Sequence, residues 1–123
     1  MESDLLTVMQ ACTNGTLAET EVKFADKHAC CVILASGGYP ESYPKGFAIT
    51  MTAEAAEHTY VAGAKLEDGK LLTSGGRVTG TTTVADSLET AVKEAYRLSD
   101  GVRFEGAYRR SDIGQRALQA NTR

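Results

Sequence analysis

An uncharged run, Ala29-Cys30-Cys31-Val32-Ile33-Leu34-Ala35, breaks abruptly into Ser36-Gly37-Gly38-Tyr39-Pro40-Glu41-Ser42-Tyr43-Pro44-Lys45-Gly46. The run is short and β-branched at its middle, which predicts a buried central strand over 29–35. The segment that follows holds paired glycines and both prolines of the chain. Glycine admits backbone angles closed to other residues, while proline fixes φ and removes a donor. The expected product is a stiff loop presenting two tyrosines and a lysine. It suits the rim of a site, and equally an ordinary surface turn.

The rest of the chain alternates strand and turn signals around one strong helix. Ser3 is placed to cap a first helix over 3–14, with Leu5, Met9 and Cys12 on one apolar face and Gly15 as its stop. Polar–apolar alternation predicts an edge strand over 21–24. Further strands are expected over 46–51, 59–66, 70–73, 77–83 and 102–108, with a helical turn over 52–57. Asp68-Gly69 joins one strand pair as a hairpin, and Ser74-Gly75-Gly76 joins the next. Gly80, inside a threonine-dense strand, suggests a bulge. Asp86 and Glu89 fit a capping box, and Leu88, Ala91, Val92, Ala95 and Tyr96 form the stripe of the main helix, which Asp100-Gly101 ends. A last helical turn is expected over 113–119. The fold class that follows is α+β: a small, mainly antiparallel β-sheet module with one main helix.

A chain of 123 residues with 42% hydrophobic residues forms one core. The net charge of −3 argues against nucleic acid as a partner. No apolar run reaches membrane-spanning length and no secretory signal pattern opens the chain. Cys30 and Cys31 are neighbours in a strand and point to opposite faces, so they do not pair; with Cys12 they read as reduced, buried cysteines. A cytoplasmic protein is expected. Charge is uneven, with five arginines between Val102 and Arg123 against Glu105 and Asp112.

Independent catalytic machinery is not visible. His28 and His58 flank no serine or cysteine motif, Asp68 and Asp100 are explained by turns, and no phosphate-binding glycine loop or paired carboxylates for magnesium occur. Anion-binding groups do occur. Ser74-Gly75-Gly76-Arg77 sets several backbone N–H groups beside a guanidinium, the makings of an anion nest or of a plain hairpin turn. Arg109 and Arg110 would point to opposite faces if they lie in a strand, and Asp112 is close enough to pair with either.

Several segments, taken in order, carry a likeness. Ser36-Gly37-Gly38-Tyr39-Pro40 with Tyr43-x-Lys45-Gly46, Val61-Ala62-Gly63-Ala64-Lys65-Leu66-x-Asp68-Gly69-Lys70, Leu72-Thr73-Ser74-Gly75-Gly76-Arg77-Val78, and the closing stretch from Phe104-Glu105-Gly106 through Arg116-Ala117-Leu118 resemble the C-terminal region of the glycinamide ribonucleotide synthetases. These are ATP-grasp ligases of purine synthesis. Glu2-Ser3-Asp4-Leu5-Leu6 resembles the helix that ends the family's ATP-grasp domain. The resemblance implies that residues 1–22 are the end of that domain with a linker, and that 23–123 are the C-terminal domain.

The activity implied is ATP-dependent joining of glycine to 5-phosphoribosylamine: phosphorylation of the glycine carboxylate, then attack of the sugar amine. ATP and magnesium would serve the parent enzyme, and none is expected on this piece. In that setting the C-terminal module supplies basic groups to the substrate phosphate. That role falls on Arg77, Arg109 or Arg110, and behind them on Lys45, with Gly75 and Gly76 allowing close backbone approach. Partners would be the ATP-grasp and N-terminal domains, a small-molecule substrate, and for an isolated piece a second copy covering the first helix. Two departures from the family pattern stand out: Val61 replaces its histidine and Ala64 its threonine. The family's Arg-x-Gly-Asp-Pro-Glu signature and metal-binding acids do not occur in the chain, so a domain piece with an artificial start at Met1 and no catalysis of its own is expected. The rival expectation is a freestanding, non-catalytic β-rich binding or interaction module.

Overall fold

The computed structural model describes residues 1–120; Asn121–Arg123, the end of the arginine-rich segment, lie outside the described residues. The elements run α1 (Leu5–Asn14), a 3-10 turn (Leu17–Glu19), β1 (His28–Ala35), β2 (Thr50–Met51), α2 (Ala53–Glu57), β3 (Thr59–Val61), β4 (Ala64–Glu67), β5 (Lys70–Thr73), β6 (Arg77–Ala85), α3 (Leu88–Ser99), β7 (Val102–Arg103) and α4 (Gln115–Ala120). The sheets are small and antiparallel. One has the order β1-β6-β3, and β2 with β7 and β4 with β5 form two ribbons. The expected α+β class therefore holds.

The central strand is β6, not β1. The run 29–35 is apolar on both faces for a different reason. Cys30, Val32 and Leu34 are buried, while Cys31 and Ile33 project from the opposite face. There they meet β6 at Gly80, where an added Cβ would lie 3.0 Å from Cys31 Sγ and 3.1 Å from Ile33 Cδ1. Gly80 thus makes room for cross-strand side chains. The register runs unbroken through it, and the irregularity falls instead between Leu34 and Ala35.

Helix α3 covers the inner face of the sheet. Ala91, Val92 and Ala95 pack on Cys30 and Val32, and a second cluster gathers Leu34, Ile49, Ala55, Val78, Val102 and Phe104. Two of the three buried threonines of β6, Thr81 and Thr83, are reconciled with this core by hydrogen bonds, while the Thr79 hydroxyl is buried without a partner among the described residues. Thr83 Oγ1 donates to Ala91 O at 2.6 Å, Thr59 Oγ1 donates to Ala55 O at 2.7 Å, and the Thr59 and Thr81 hydroxyls lie 3.0 Å apart.

Several local expectations are corrected. Asp4, not Ser3, caps α1: its Oδ2 accepts from Thr7 N at 2.8 Å and from Thr7 Oγ1 at 2.7 Å. Ser3 instead accepts from Lys23 N at 2.7 Å and donates to Glu21 O at 3.2 Å. That clip uses backbone groups of residues 21–24, which form no strand. Ser87 caps α3 by accepting from Thr90 N, while Asp86 pairs with Lys27. The strand over 59–66 splits into β3 and β4 around Ala62-Gly63, whose amides still donate to Val78 O and Arg77 O of β6 while Gly63 O accepts from the Ser74 and Gly75 amides. The strands over 46–51 and 102–108 shrink to β2 and β7, with single bridges at Ala48–Leu72 and Ala35–Tyr108. Gly15 does end α1, with φ 74°. The α1 face of Leu5, Met9 and Cys12 is exposed, and Ala11 is the helix residue that is buried. Of the three cysteines, all free, Cys30 alone is buried.

Candidate functional site

The site is assembled where three segments meet: the end of β1, the start of β6, and the stretch from Phe104 to Ile113. Ala35 and Tyr108 exchange backbone hydrogen bonds at 2.7 and 2.9 Å. Ser36 ties the loop to the 74–77 turn, its N–H donating to Gly76 O at 2.8 Å and its hydroxyl to Gly75 O at 2.9 Å. The Tyr39–Pro40 peptide is cis. The Tyr39 ring lies so close to Gly76 that an added Cβ would come within 2.0 Å of ring carbon Cδ2. Gly37 in turn lies against the Gly106 carbonyl, 2.8 Å from where its Cβ would be.

Beside these contacts lies an open cavity of about 570 Å³. Ile33, Ala35, Pro40 and Ile113 give it an apolar lining, Tyr39 and Tyr108 flank it, and Cys31, Arg77, Arg109 and Arg110 complete it. The three arginines singled out in the sequence are thus brought together. Lys45 is not among them. It borders a separate cavity of about 320 Å³ with Lys65 and Ser74, its ammonium 5.6 Å from the centroid of Tyr43.

The three arginines differ in what already holds them. Arg109 donates to Tyr96 O at 3.3 Å, to Ser99 Oγ, and to Asp100 Oδ1 at 2.6 Å, and its guanidinium sits 5.1 Å from the Tyr96 ring centroid. Arg110 forms a two-pronged pair with Asp112 at 2.7 and 2.5 Å. The Arg77 side chain makes no hydrogen bond or ion pair among the described residues and is exposed. A cation without a partner at a cavity wall is the group most available to an incoming anion.

At Ser74–Arg77, which the sequence leaves as either an anion nest or a plain hairpin turn, two of the amides are already engaged. The Ser74 and Gly75 amides both donate to Gly63 O, at 2.8 and 2.9 Å. Gly75 and Gly76 are needed for close approach, Gly75 to the backbone of Gly63 and Gly76 to the Tyr39 ring. Sequence reasoning also passed over Cys31, Tyr96 and Tyr108 as site-forming residues. The strict alternation of β1 contained the signal for Cys31, because it puts Cys31, Ile33 and Ala35 on the face opposite Cys30, Val32 and Leu34.

The hydrogen-bonded Arg110 guanidinium holds the Asp112 carboxyl below its ordinary range, and Asp112 holds Arg110 above its own. A depressed carboxylate contributes stability above its unfolded pKa and loses it as pH falls through the folded value. Both groups are exposed, so the contribution to global stability is small. The expected result of a carboxylate NMR titration is a midpoint for Asp112 below the usual value of about 3.9, returning towards it in Arg110→Ala. An unshifted midpoint in the wild type would show the pair to be absent in solution.

The profile of the family described as "Phosphoribosylglycinamide synthetase, C domain" matches residues 29–116. The chain belongs to this family. That stretch holds every group lining the arginine-bearing cavity. Among similar curated proteins, the bifunctional purine biosynthetic protein of Pichia angusta is 44% identical over 122 residues, covering 97% of this chain and 16% of the relative. The phosphoribosylamine–glycine ligase of Caldanaerobacter subterraneus subsp. tengcongensis is 43% identical over 114 residues, covering 92% of this chain and 27% of the relative. A crystal structure of phosphoribosylamine–glycine ligase from Thermotoga maritima matches with a TM-score of 0.65 at 41% identity, over 69% of this chain and 21% of that one. The domain therefore spans a minor part of the length of these relatives, which are larger ligases and purine-biosynthetic proteins.

Proposed function

We propose that this domain works as the C-terminal module of a phosphoribosylamine–glycine ligase, joining glycine to 5-phosphoribosylamine in purine synthesis, and that Arg77 binds the substrate's 5-phosphate. The observation that supports the phosphate assignment is the unpartnered Arg77 beside a cavity of about 570 Å³, where Arg109 and Arg110 are already engaged. An arginine so placed acts by electrostatic positioning, holding the ribose end so that its amine meets an activated glycine carboxylate elsewhere. Arg110 is the second cation, able to join if it exchanges Asp112 for phosphate. Lys45 faces the other cavity and is the least suited of the four.

ATP and magnesium belong to the same proposal, and the residues present do not fit the metal ion. Among the described residues no cluster of three or more His, Cys, Asp or Glu side chains could hold a metal ion. These groups would be bound by the ATP-grasp domain of the ligase. On this reading residues 1–22 are the end of that domain and 23–123 the C-terminal module. The exposed Leu5, Leu6 and Met9 of α1 would be covered by the preceding domain, or in isolation by a second copy. A cytoplasmic setting goes with the pathway. Among the described residues no helix is long and apolar enough to cross a membrane.

Two assays of the chain by itself test the reading. With ATP, glycine and phosphoribosylamine it should form no ADP, and sustained turnover would contradict a module without catalytic groups. Titration with ribose 5-phosphate should shift the Arg77 Nε–Hε NMR signal, while ribose should not. Equal responses to the two sugars would remove the phosphate assignment.

A further inference from the structure

Helix α3 contributes no group that touches the cavity of Arg77, yet two of its features reach the segment that walls it. Tyr96 Oη donates to Arg110 O at 2.7 Å and accepts from Ile113 N at 3.0 Å. One hydroxyl thus bridges both ends of residues 110–113, using its donor and an acceptor lone pair. The same tyrosine carries the Arg109 guanidinium 5.1 Å from its ring centroid, and its carbonyl, together with the Ser99 hydroxyl and Asp100, accepts from that guanidinium. The carbonyls of Tyr96 and its neighbours lie in the last turn of α3, where intrahelical partners run out and a cation is favoured.

We propose that Tyr96 and Arg109 form a latch that positions Arg110 and Ile113 in the wall of the phosphate cavity, so that Arg109 is a positioning residue and not a ligand of the substrate. This rests on the phosphate reading above for its functional consequence, and on the hydrogen bonds alone for its structural one. The backbone of residues 109–113 lies in neither a strand nor a helix, since β7 ends at Arg103 and α4 begins at Gln115. Without a ladder to fix it, its path depends on side chains, and the Tyr96 hydroxyl is the one that holds two of its backbone groups. Arg109, 27% exposed and already held by three acceptors, would have to abandon Asp100, Ser99 and Tyr96 to meet a phosphate. Arg77 has nothing comparable to give up.

Tyr96→Phe is the decisive variant, because it keeps the ring, its packing and the cation–π contact while deleting both hydroxyl bonds. In this chain the Ile113 amide should exchange with solvent roughly tenfold faster, as expected for losing two hydrogen bonds from a local opening. The affinity for ribose 5-phosphate, read by NMR titration, should fall about three- to tenfold. Arg77→Ala should show a different pattern, weakening ribose 5-phosphate binding about tenfold or more with Ile113 exchange unchanged. Unchanged Ile113 exchange in Tyr96→Phe would overturn the latch. So would faster exchange with undiminished affinity, since the segment would then not matter to the cavity. Failure of the wild type to bind ribose 5-phosphate is a different result: it removes the phosphate reading, and the Ile113 exchange still decides whether the latch exists.

Discussion

Replacing Gly63 by alanine is expected to destabilise the domain by about 3 kcal/mol or more, the upper range for forcing atoms into a packed interior. A Cβ there would lie 2.5 Å from Arg77 O and 2.8 Å from Gly75 Cα, and both are backbone atoms that no rotamer change can move. The neighbourhood is also closed by hydrogen bonds. Gly63 N donates to Arg77 O at 2.8 Å, and Gly63 O accepts from Ser74 N and Gly75 N. Any shift that relieves the clash weakens these bonds and moves the root of Arg77. Gly69 makes the comparison clean: its φ is 73° but nothing lies within 4 Å of an added Cβ, so Gly69→Ala should cost only about 1 kcal/mol of backbone strain. Urea unfolding of the two variants beside wild type measures the difference. Equal midpoints would mean that the Gly63–Gly75 approach is not as close as described.

The second large effect is on function. In a ligase carrying this domain, Arg77→Ala should remove a charge-assisted contact worth roughly 1.5–3 kcal/mol. The KM for phosphoribosylamine should rise about tenfold or more, since each 1.4 kcal/mol is a factor of ten. The KM for ATP should stay within about twofold, because on the proposed reading ATP is bound by the ATP-grasp domain. Arg77→Lys should recover part of the loss, as an ammonium keeps the charge but not the bidentate fork. Steady-state kinetics for both substrates on the two variants decide the matter. If phosphoribosylamine kinetics in Arg77→Ala match wild type, the phosphate is bound elsewhere, and Arg110 is the remaining cation at the same wall able to exchange its partner.

Much of this arrangement is legible in the sequence. The apolar run, the Asp68-Gly69 hairpin and the α3 stripe each state their own structure locally, so β1 and α3 lie where expected and the Asp68-Gly69 turn joins β4 to β5. Helix caps were less legible because Ser3, Asp4, Asp86 and Ser87 are all competent, and the choice depends on what else each can reach. Ser3 is taken by Glu21 and Lys23, and Asp86 by Lys27. Sheet order was not legible either. β6 is central, and two of its buried threonines place their hydroxyls on Ala91 and across to Thr59, an arrangement that no hydrophobicity pattern encodes.

The site shows the same division. Three arginines could be named from sequence, and the fold brings all three to one cavity. Which of them is free could not be read, because the partners of Arg109 lie on α3 and its C-cap, and Arg109 and Arg110 stand in irregular backbone just past the strand expected over 102–108. Whether Ser74–Arg77 is an anion nest or a plain turn is left open by the sequence, because the partners of its amides are distant in the chain. The amides of Ser74 and Gly75 serve Gly63, a residue eleven or more positions earlier in the chain.

The most direct test of the central claim is to graft this domain onto the Thermotoga maritima ligase in place of the region it matches, and to measure ligase turnover. At 41% identity over the matched region, the account predicts a folded chimera that forms glycinamide ribonucleotide, with activity lost in the Arg77→Ala version at low phosphoribosylamine and regained as that substrate is raised. A folded chimera with no turnover at saturating substrates, or one whose turnover is indifferent to Arg77 at every concentration, would contradict it.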